Sequence, residues 1–172
     1  MIRIIALIGL TGFLTACTST KEPLRQLPIA RANVLPLQLN DDFQFRKVSQ
    51  FFLDPRVQQA TINPVINFER QRMNFGAVNA SDRAERFGNY FYIWWRAKRE
   101  SDVTVRLEYR QENLGSQVMA KEVPYDQARG TIETKFTVIG DEFQEEGKVT
   151  AWRVLLIENG RIVGLRQSFL WN

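Results

Sequence analysis

The sequence predicts an all-β chain folded as an antiparallel β-sandwich of about seven or eight strands. Three observations carry this. Apolar and polar residues alternate at period two, as in Val103, Val105, Leu107 and Tyr109 against Thr104, Arg106, Glu108 and Arg110. Such runs recur at short, regular spacing, with turn-forming residues between them. Finally, Asn159-Gly160 separates the apolar runs Val149 to Ile157 and Ile162 to Trp171. A two-residue hairpin loop prefers positive φ at both central positions, where Asn and Gly fit at least steric cost.

In chain order, Met1-Ile2-Arg3 is a short positive start, and the apolar run from Ile4 to Leu14 is too short for a spanning helix, which needs about 20 residues. The start therefore reads as a secretory signal over residues 1–16. Its end, Leu14-Thr15-Ala16-Cys17, resembles the lipobox of bacterial lipoproteins. That resemblance implies cleavage after Ala16, a diacylglyceryl group on the Cys17 sulfur and usually an acylated amino terminus. The palmitate-type chains would hold the protein on a membrane of the cell envelope. Thr18 stands where an Asp is absent, which resembles the pattern of lipoproteins that pass to an outer membrane, if the source has one. Residues 17–39 read as the lipidated terminus and tether, broken by Pro23, Pro28 and Pro36. Leu35, Leu37 and Leu39 alternate, so the end of the tether is expected along the domain as an edge strand.

Residues 40–172 are expected to form one domain. Phe43, Phe45, Val48, Phe51, Phe52 and Leu53 are too many large apolar groups to leave in water; they fit a strand followed by a short helix, or a strand throughout. Asp54-Pro55 ends the run. Val65 to Phe75 is expected to be a strand with a bulge near Glu69 to Gln71, because its apolar residues change parity there. Gly76 to Gly88 is expected to be a loop, with one helical turn capped by Asp82 and Glu85.

Asn89 to Arg99 is the strongest strand after the hairpin, with Phe91, Ile93, Trp95 and Ala97 assigned to the core. A turn at Glu100-Ser101-Asp102 leads to the strand through Tyr109. Two further strands, Gln117 to Val123 and Thr131 to Ile139, are separated by Pro124-Tyr125-Asp126 and Arg129-Gly130. Counting back from Asn159-Gly160 places Trp152, Val154, Leu156, Val163, Leu165, Phe169 and Trp171 inward and sets Arg153 opposite Arg166. The order of elements resembles immunoglobulin-like and fibronectin type III-like sandwiches over roughly 65–171, with an aromatic strand in mid-chain and two long closing strands. An up-and-down barrel is the alternative architecture.

Composition narrows the chemistry. The formal charge is +4, and +3 once Arg3 leaves with the signal, so basicity is modest and nothing points to nucleic acid. The chain has no histidine and Cys17 is its one cysteine. Ser-His and Cys-His catalysis, His/Cys zinc sites and an imidazole pH switch are thereby excluded. No cofactor or metal is expected, and a non-catalytic protein is the expectation. The acidic run Asp141 to Gly147 lacks the ligand spacing of an EF-hand and reads as a solvated turn.

The candidate binding residues lie on the outward parities. In an immunoglobulin-like arrangement Tyr90, Tyr92, Trp94 and Arg96 come near Arg153, with Arg106 on the next strand and Arg166 across the hairpin. Rings suit sugars or protein side chains, and guanidinium groups suit carboxylate or phosphate. The opposed reading has the N-terminal phenylalanines covering this face and the arginines pairing with Glu108 or Glu133. The functional expectation is a lipid-anchored binding or assembly module with an envelope protein as partner; the alternative is a surface protein that binds polysaccharide.

Overall fold

The computed structural model describes residues 25–29, 33–53 and 62–171. Cys17 and the lipobox, and the Asp54-Pro55 break, lie outside the described residues. The elements are β1 (Leu27–Ile29), β2 (Phe43–Leu53), α1 (Pro64–Asn74), α2 (Ala80–Ala84), β3 (Gly88–Gln111), β4 (Met119–Ile139), α3 (Asp141–Glu146), β5 (Val149–Glu158) and β6 (Arg161–Gln167). The class is as expected, mainly β and antiparallel. The six strands form one continuous sheet in the order β1-β4-β3-β5-β6, with β2 also paired to β3.

Strand number and architecture differ from expectation for one reason: two expected turns are bulges. β3 runs for 24 residues through Glu100-Ser101-Asp102, and β4 for 21 residues through Pro124 and Gly130. Their pairing steps irregularly from Ala97↔Gly130 to Ser101↔Ala128 to Val103↔Tyr125. Positive φ at Gln127 (50°) and Gly130 (83°) serves the bulges, and the Asp102 carboxylate accepts from the Gln127 amide at 2.8 Å. Bulged strands bend and coil more strongly. A straight strand would carry Phe91 and Tyr109 about 60 Å apart at ~3.3 Å per residue. Yet Phe91 meets Trp152, the cross-strand partner of Tyr109, edge to face at 6.0 Å. The long β3–β4 ribbon is thus folded across a crease, and one sheet packs against itself where two separate sheets were expected.

That folding encloses the core. Phe91, Ile93 and Trp95 come from the first half of β3 and Val105, Leu107 and Tyr109 from the second; β4 and β5 add Phe136, Val138, Val154 and Leu156. All the inward residues assigned on β3 are buried, and of the adjacent Trp94 and Trp95 it is Trp95 that is buried. At the crease Trp95 packs edge to face on Tyr125 at 5.4 Å. Its Nε1 donates to Thr134 Oγ1 at 2.9 Å, and the same oxygen bonds the Tyr125 hydroxyl at 2.7 Å.

The hairpin forms at Asn159-Gly160, with φ of 50° and 71° and with Glu158 opposite Arg161. Beyond Ile157↔Ile162 the register slips, so that Leu156 faces Gly164. A Cβ at Gly164 would stand 3.0 Å from the Leu156 side chain. The slip has a donor on the other edge: Asn40 N bonds Val163 O at 3.0 Å, and Gln38 N bonds Ile162 O at 2.8 Å. The segment carrying Leu35, Leu37 and Leu39 therefore does lie along the domain, through a parallel bridge from Leu37 to Ile162. One extra residue flips every later side chain. Leu165 and Phe169 are exposed instead of buried, Arg153 faces Gln167, and Arg166 faces Val154. Residues 27–29, expected in the tether, pair with β4.

Val65 to Phe75 is the clearest correction, since it is helix and not strand. The Asn63 side chain caps the Val65 amide at 3.0 Å and Pro64 opens the first turn, where its missing N–H costs nothing. The change of apolar parity is a period of 3.6 residues seen through a period of two. In α2 the cap is Asn79 with Asp82 as its capping-box partner, three residues ahead of the expected cap.

Thr134→Val leaves the Trp95 N–H without its acceptor inside the core. A loss of about 1–3 kcal/mol is expected in urea unfolding, larger than that of Tyr125→Phe, which leaves the Trp95 bond in place.

Candidate functional site

A mainly apolar groove lies between α1 and the outward face of β2 and β3, with a cavity of about 420 Å³. The strand period turns Tyr90, Tyr92 and Trp94 away from the core. Pairing then sets Lys47 beside Trp94 and Ser49 beside Tyr92 on one side, and Glu133 beside Trp94 and Lys135 beside Tyr92 on the other. α1 lies over the tyrosines. Met73 packs with Leu53, Tyr90 and Tyr92 in a second apolar cluster. Arg72 Nη2 donates to the Tyr92 hydroxyl at 2.6 Å and to Glu69 at 2.7 Å. Tyr90 and Tyr92 are consequently buried, while Trp94 stays partly open at the groove floor. Val65 and Phe68 line the same groove and remain 66% and 63% exposed.

The electrostatics follow from this layering. Tyr92 and Trp94 stack at 6.2 Å and 23°. Arg72 lies 4.9 Å from the Tyr92 ring centre and Lys47 5.2 Å from that of Trp94, while Lys135 is 5.6 Å from both tyrosine rings. Burial pushes the Tyr90 hydroxyl up to about 12 and raises that of Tyr92. Burial, and then the neighbouring Arg72 charge, hold the Lys135 ammonium below its ordinary value. The hydrogen bond to Glu69 raises Arg72. Three cations thus lie over the ring faces, and the apolar lining of the opening comes from Val65, Phe68, Phe51 and Trp94.

The expected single platform is divided. β5 pairs with residues 104–111 of β3, and β2 takes the place beside Tyr90, Tyr92 and Trp94 where β5 was expected. Arg96 is exposed on the groove side of the sheet, opposite Gln44 and Thr131. Arg106 and Arg153 belong to the other half and are structural. Arg106 bonds Glu122 at 2.6 Å and the Asn33 carbonyl at 3.1 Å, with Glu108 at 3.6 Å. Arg153 pairs with Glu108 and lies 4.9 Å from the Trp171 ring centre. With carboxylates already supplied, these arginines require no external anion. Arg166 is exposed and, because of the register slip, is paired with Val154 instead of Arg153.

Sequence reasoning missed Val65, Phe68, Glu69 and Arg72, since their segment was read as strand; Asn63-Pro64 was the signal that could have found them. It also missed a polar seal at the open end of the core. The acidic run is α3, and Glu142 accepts from the Tyr109 hydroxyl and from Lys121 Nζ, the latter at 2.6 Å. Among the described residues no group of three or more His, Cys, Asp and Glu side chains is placed to hold a metal, and no helix is long and apolar enough to cross a membrane.

No family model matches the chain. No curated protein matches it either. A solved structure to which it is similar is a crystal structure from Akkermansia muciniphila, 15% identical, over 76% of this chain and 73% of that one, with a TM-score of 0.38. Likeness at that level carries no argument about function.

Two measurements check these assignments. In an NMR titration the Lys135 side chain should titrate below the ordinary lysine value, and Arg72→Gln should move the midpoint upward by removing a like charge; an unmoved midpoint would show that Arg72 does not act on it. Glu108→Leu, which strips a shared partner from two arginines, should cost about 3 kcal/mol in denaturant unfolding, whereas Arg166→Ala should change stability by less than about 0.5 kcal/mol.

Proposed function

We propose that this chain is a lipid-anchored, non-catalytic binding or assembly module of the cell envelope, and that a protein partner docks in the groove between α1 and β2–β3. The observation that carries the reading is the exposure of Val65 and Phe68 beside Trp94 in a preformed cavity. Aromatic and aliphatic anchors in a pocket, rimmed by charge, are what protein interfaces use for most of their affinity. The lipobox resemblance supports attachment through Cys17, to an outer membrane if the source has one. The Tyr92–Trp94 stack favours the second reading, a surface carbohydrate-binding protein, because sugar rings stack on such faces. Against it, Lys47, Arg72 and Lys135 already occupy those faces.

Capture of the full-length protein from solubilised membranes, with crosslinking, separates the readings. Phe68→Asp keeps an exposed position exposed, so the fold should survive. A stoichiometric protein partner whose affinity falls about tenfold or more on that change supports the groove. Binding to isolated polysaccharide without any protein would favour the carbohydrate reading. Cys17→Ser should move the protein into the soluble envelope fraction, and retention on the membrane would count against the lipobox.

A further inference from the structure

We infer that the corner between α1 and α2, carrying Phe75 and Val78, seats in the lipid headgroup layer and holds the domain in one orientation on its membrane. The inference rests on the anchoring through Cys17 proposed above. Phe75 and Val78 are 85% and 87% exposed. Single exposed apolar residues are ordinary on protein surfaces, so exposure alone decides nothing.

The polar groups of the corner supply the second observation. Phase transfer of an unpaired backbone amide or carbonyl is costly, and a segment enters lipid readily only if those groups are already bonded. Here they are. Phe75 N bonds Arg72 O and Ala77 N bonds Asn74 O. The Asp82 carboxylate accepts from the Val78 amide at 2.9 Å and the Asn79 amide at 3.3 Å. The Arg86 guanidinium donates to the carbonyls of Met73, at 3.0 Å, and Phe75. A carboxylate and a guanidinium on the corner are thus turned inward onto backbone, while two apolar side chains are turned out.

Chain length supplies the third. Arg25 is eight residues after Cys17, so the lipid can be at most about 29 Å away at ~3.6 Å per residue. The next residue is fastened to the end of the sheet from which the corner projects. Gln26 exchanges hydrogen bonds with Thr137, at 2.9 Å to Oγ1 and 3.0 Å from the amide. Thr137 pairs with Tyr90, whose hydroxyl donates to the Arg86 carbonyl at 2.7 Å. The tether and the apolar corner thus leave the fold at one end, within reach of one surface. The acyl chains would supply retention, and the corner would supply orientation. α1 would then rise from the surface for about 16 Å, its length at 1.5 Å per residue, and present Val65 and Phe68 away from the lipid.

The test uses the full-length lipidated protein in vesicles of phosphatidylethanolamine and phosphatidylglycerol. Cys17 is the chain's single cysteine, and once thioether-linked it does not react, so Val78→Cys offers one thiol to an environment-sensitive fluorophore. Asp126→Cys, exposed at the crease, is the control. The label at 78 should shift to the blue and be quenched about twofold or more by a quencher carried on the lipid, as at interfacial depths of 5–10 Å, and the label at 126 should do neither. A label at 78 that remains in water on vesicle-bound protein overturns the seating. So does shielding that grows with protein concentration without lipid, which would assign the corner to a second copy. A protein whose mass lacks acyl chains, or whose Cys17 takes the label, sinks the anchor reading and the seating with it.

Discussion

The fold depends on three side chains at the crease, Trp95, Thr134 and Tyr125. A 24-residue strand and its 21-residue partner have no hydrophobic reason to stay straight, because a flat ribbon leaves its apolar face in water. Folding the ribbon buries that face against itself, and the Trp95 ring sits where the two halves meet. Burying a side chain of that size is worth on the order of 3–5 kcal/mol, whereas its single hydrogen bond adds roughly 1. The ring therefore drives closure, and Thr134 fixes its angle by receiving the indole N–H and bonding the hydroxyl of Tyr125 across the bend.

Closure also decides which outward residues meet. The bend puts Tyr90, Tyr92 and Trp94 on one half and Arg106, Glu108 and Arg153 on the other. The first half is overlain by α1, and its rings carry cations while its apolar opening stays free. The second half is neutralised within itself by Glu108 and Glu122, and tied to the Asn33 carbonyl. One outward face thereby becomes a groove and the other a structural ion network. Leaving the buried Arg106 guanidinium unpaired would cost several kcal/mol, so the carboxylates of the second half support the fold.

Much of this was legible from local pattern. The inward parities of β3, the positive-φ turn at Asn159-Gly160 and the docking of the segment around Leu37 all appear as read, because period-two burial and turn sterics are properties of neighbouring residues. The misreadings share a cause. Glu100-Ser101-Asp102 and Pro124 to Gly130 have turn composition, and bulges use the same polar and positive-φ residues as turns do. The slip at Val163 depended on Asn40, more than a hundred positions away, so no count from the turn could show it. α1 was lost because Ile66, Phe68, Met73 and Phe75 satisfy strand parity with one shift, and the cap at Asn63-Pro64 was read as a break. The groove residues of α1 were lost with it.

By itself the sequence determined an antiparallel β chain, the inward set on each half of β3, the final hairpin, the lack of imidazole and thiol chemistry beyond Cys17, and an amino terminus resembling a lipoprotein signal. These are consequences of local sterics, of side-chain alternation and of residue inventory. Only the tertiary structure decided that the strands make one folded sheet, that the Trp95 ring meets Tyr125 and Thr134 at the crease, and that α1 and β2 build the groove around Trp94. Those outcomes rest on contacts between residues far apart in the chain. Burial rewards them only after the ribbon has bent, and pairwise packing energy of that kind leaves no periodic mark on the sequence.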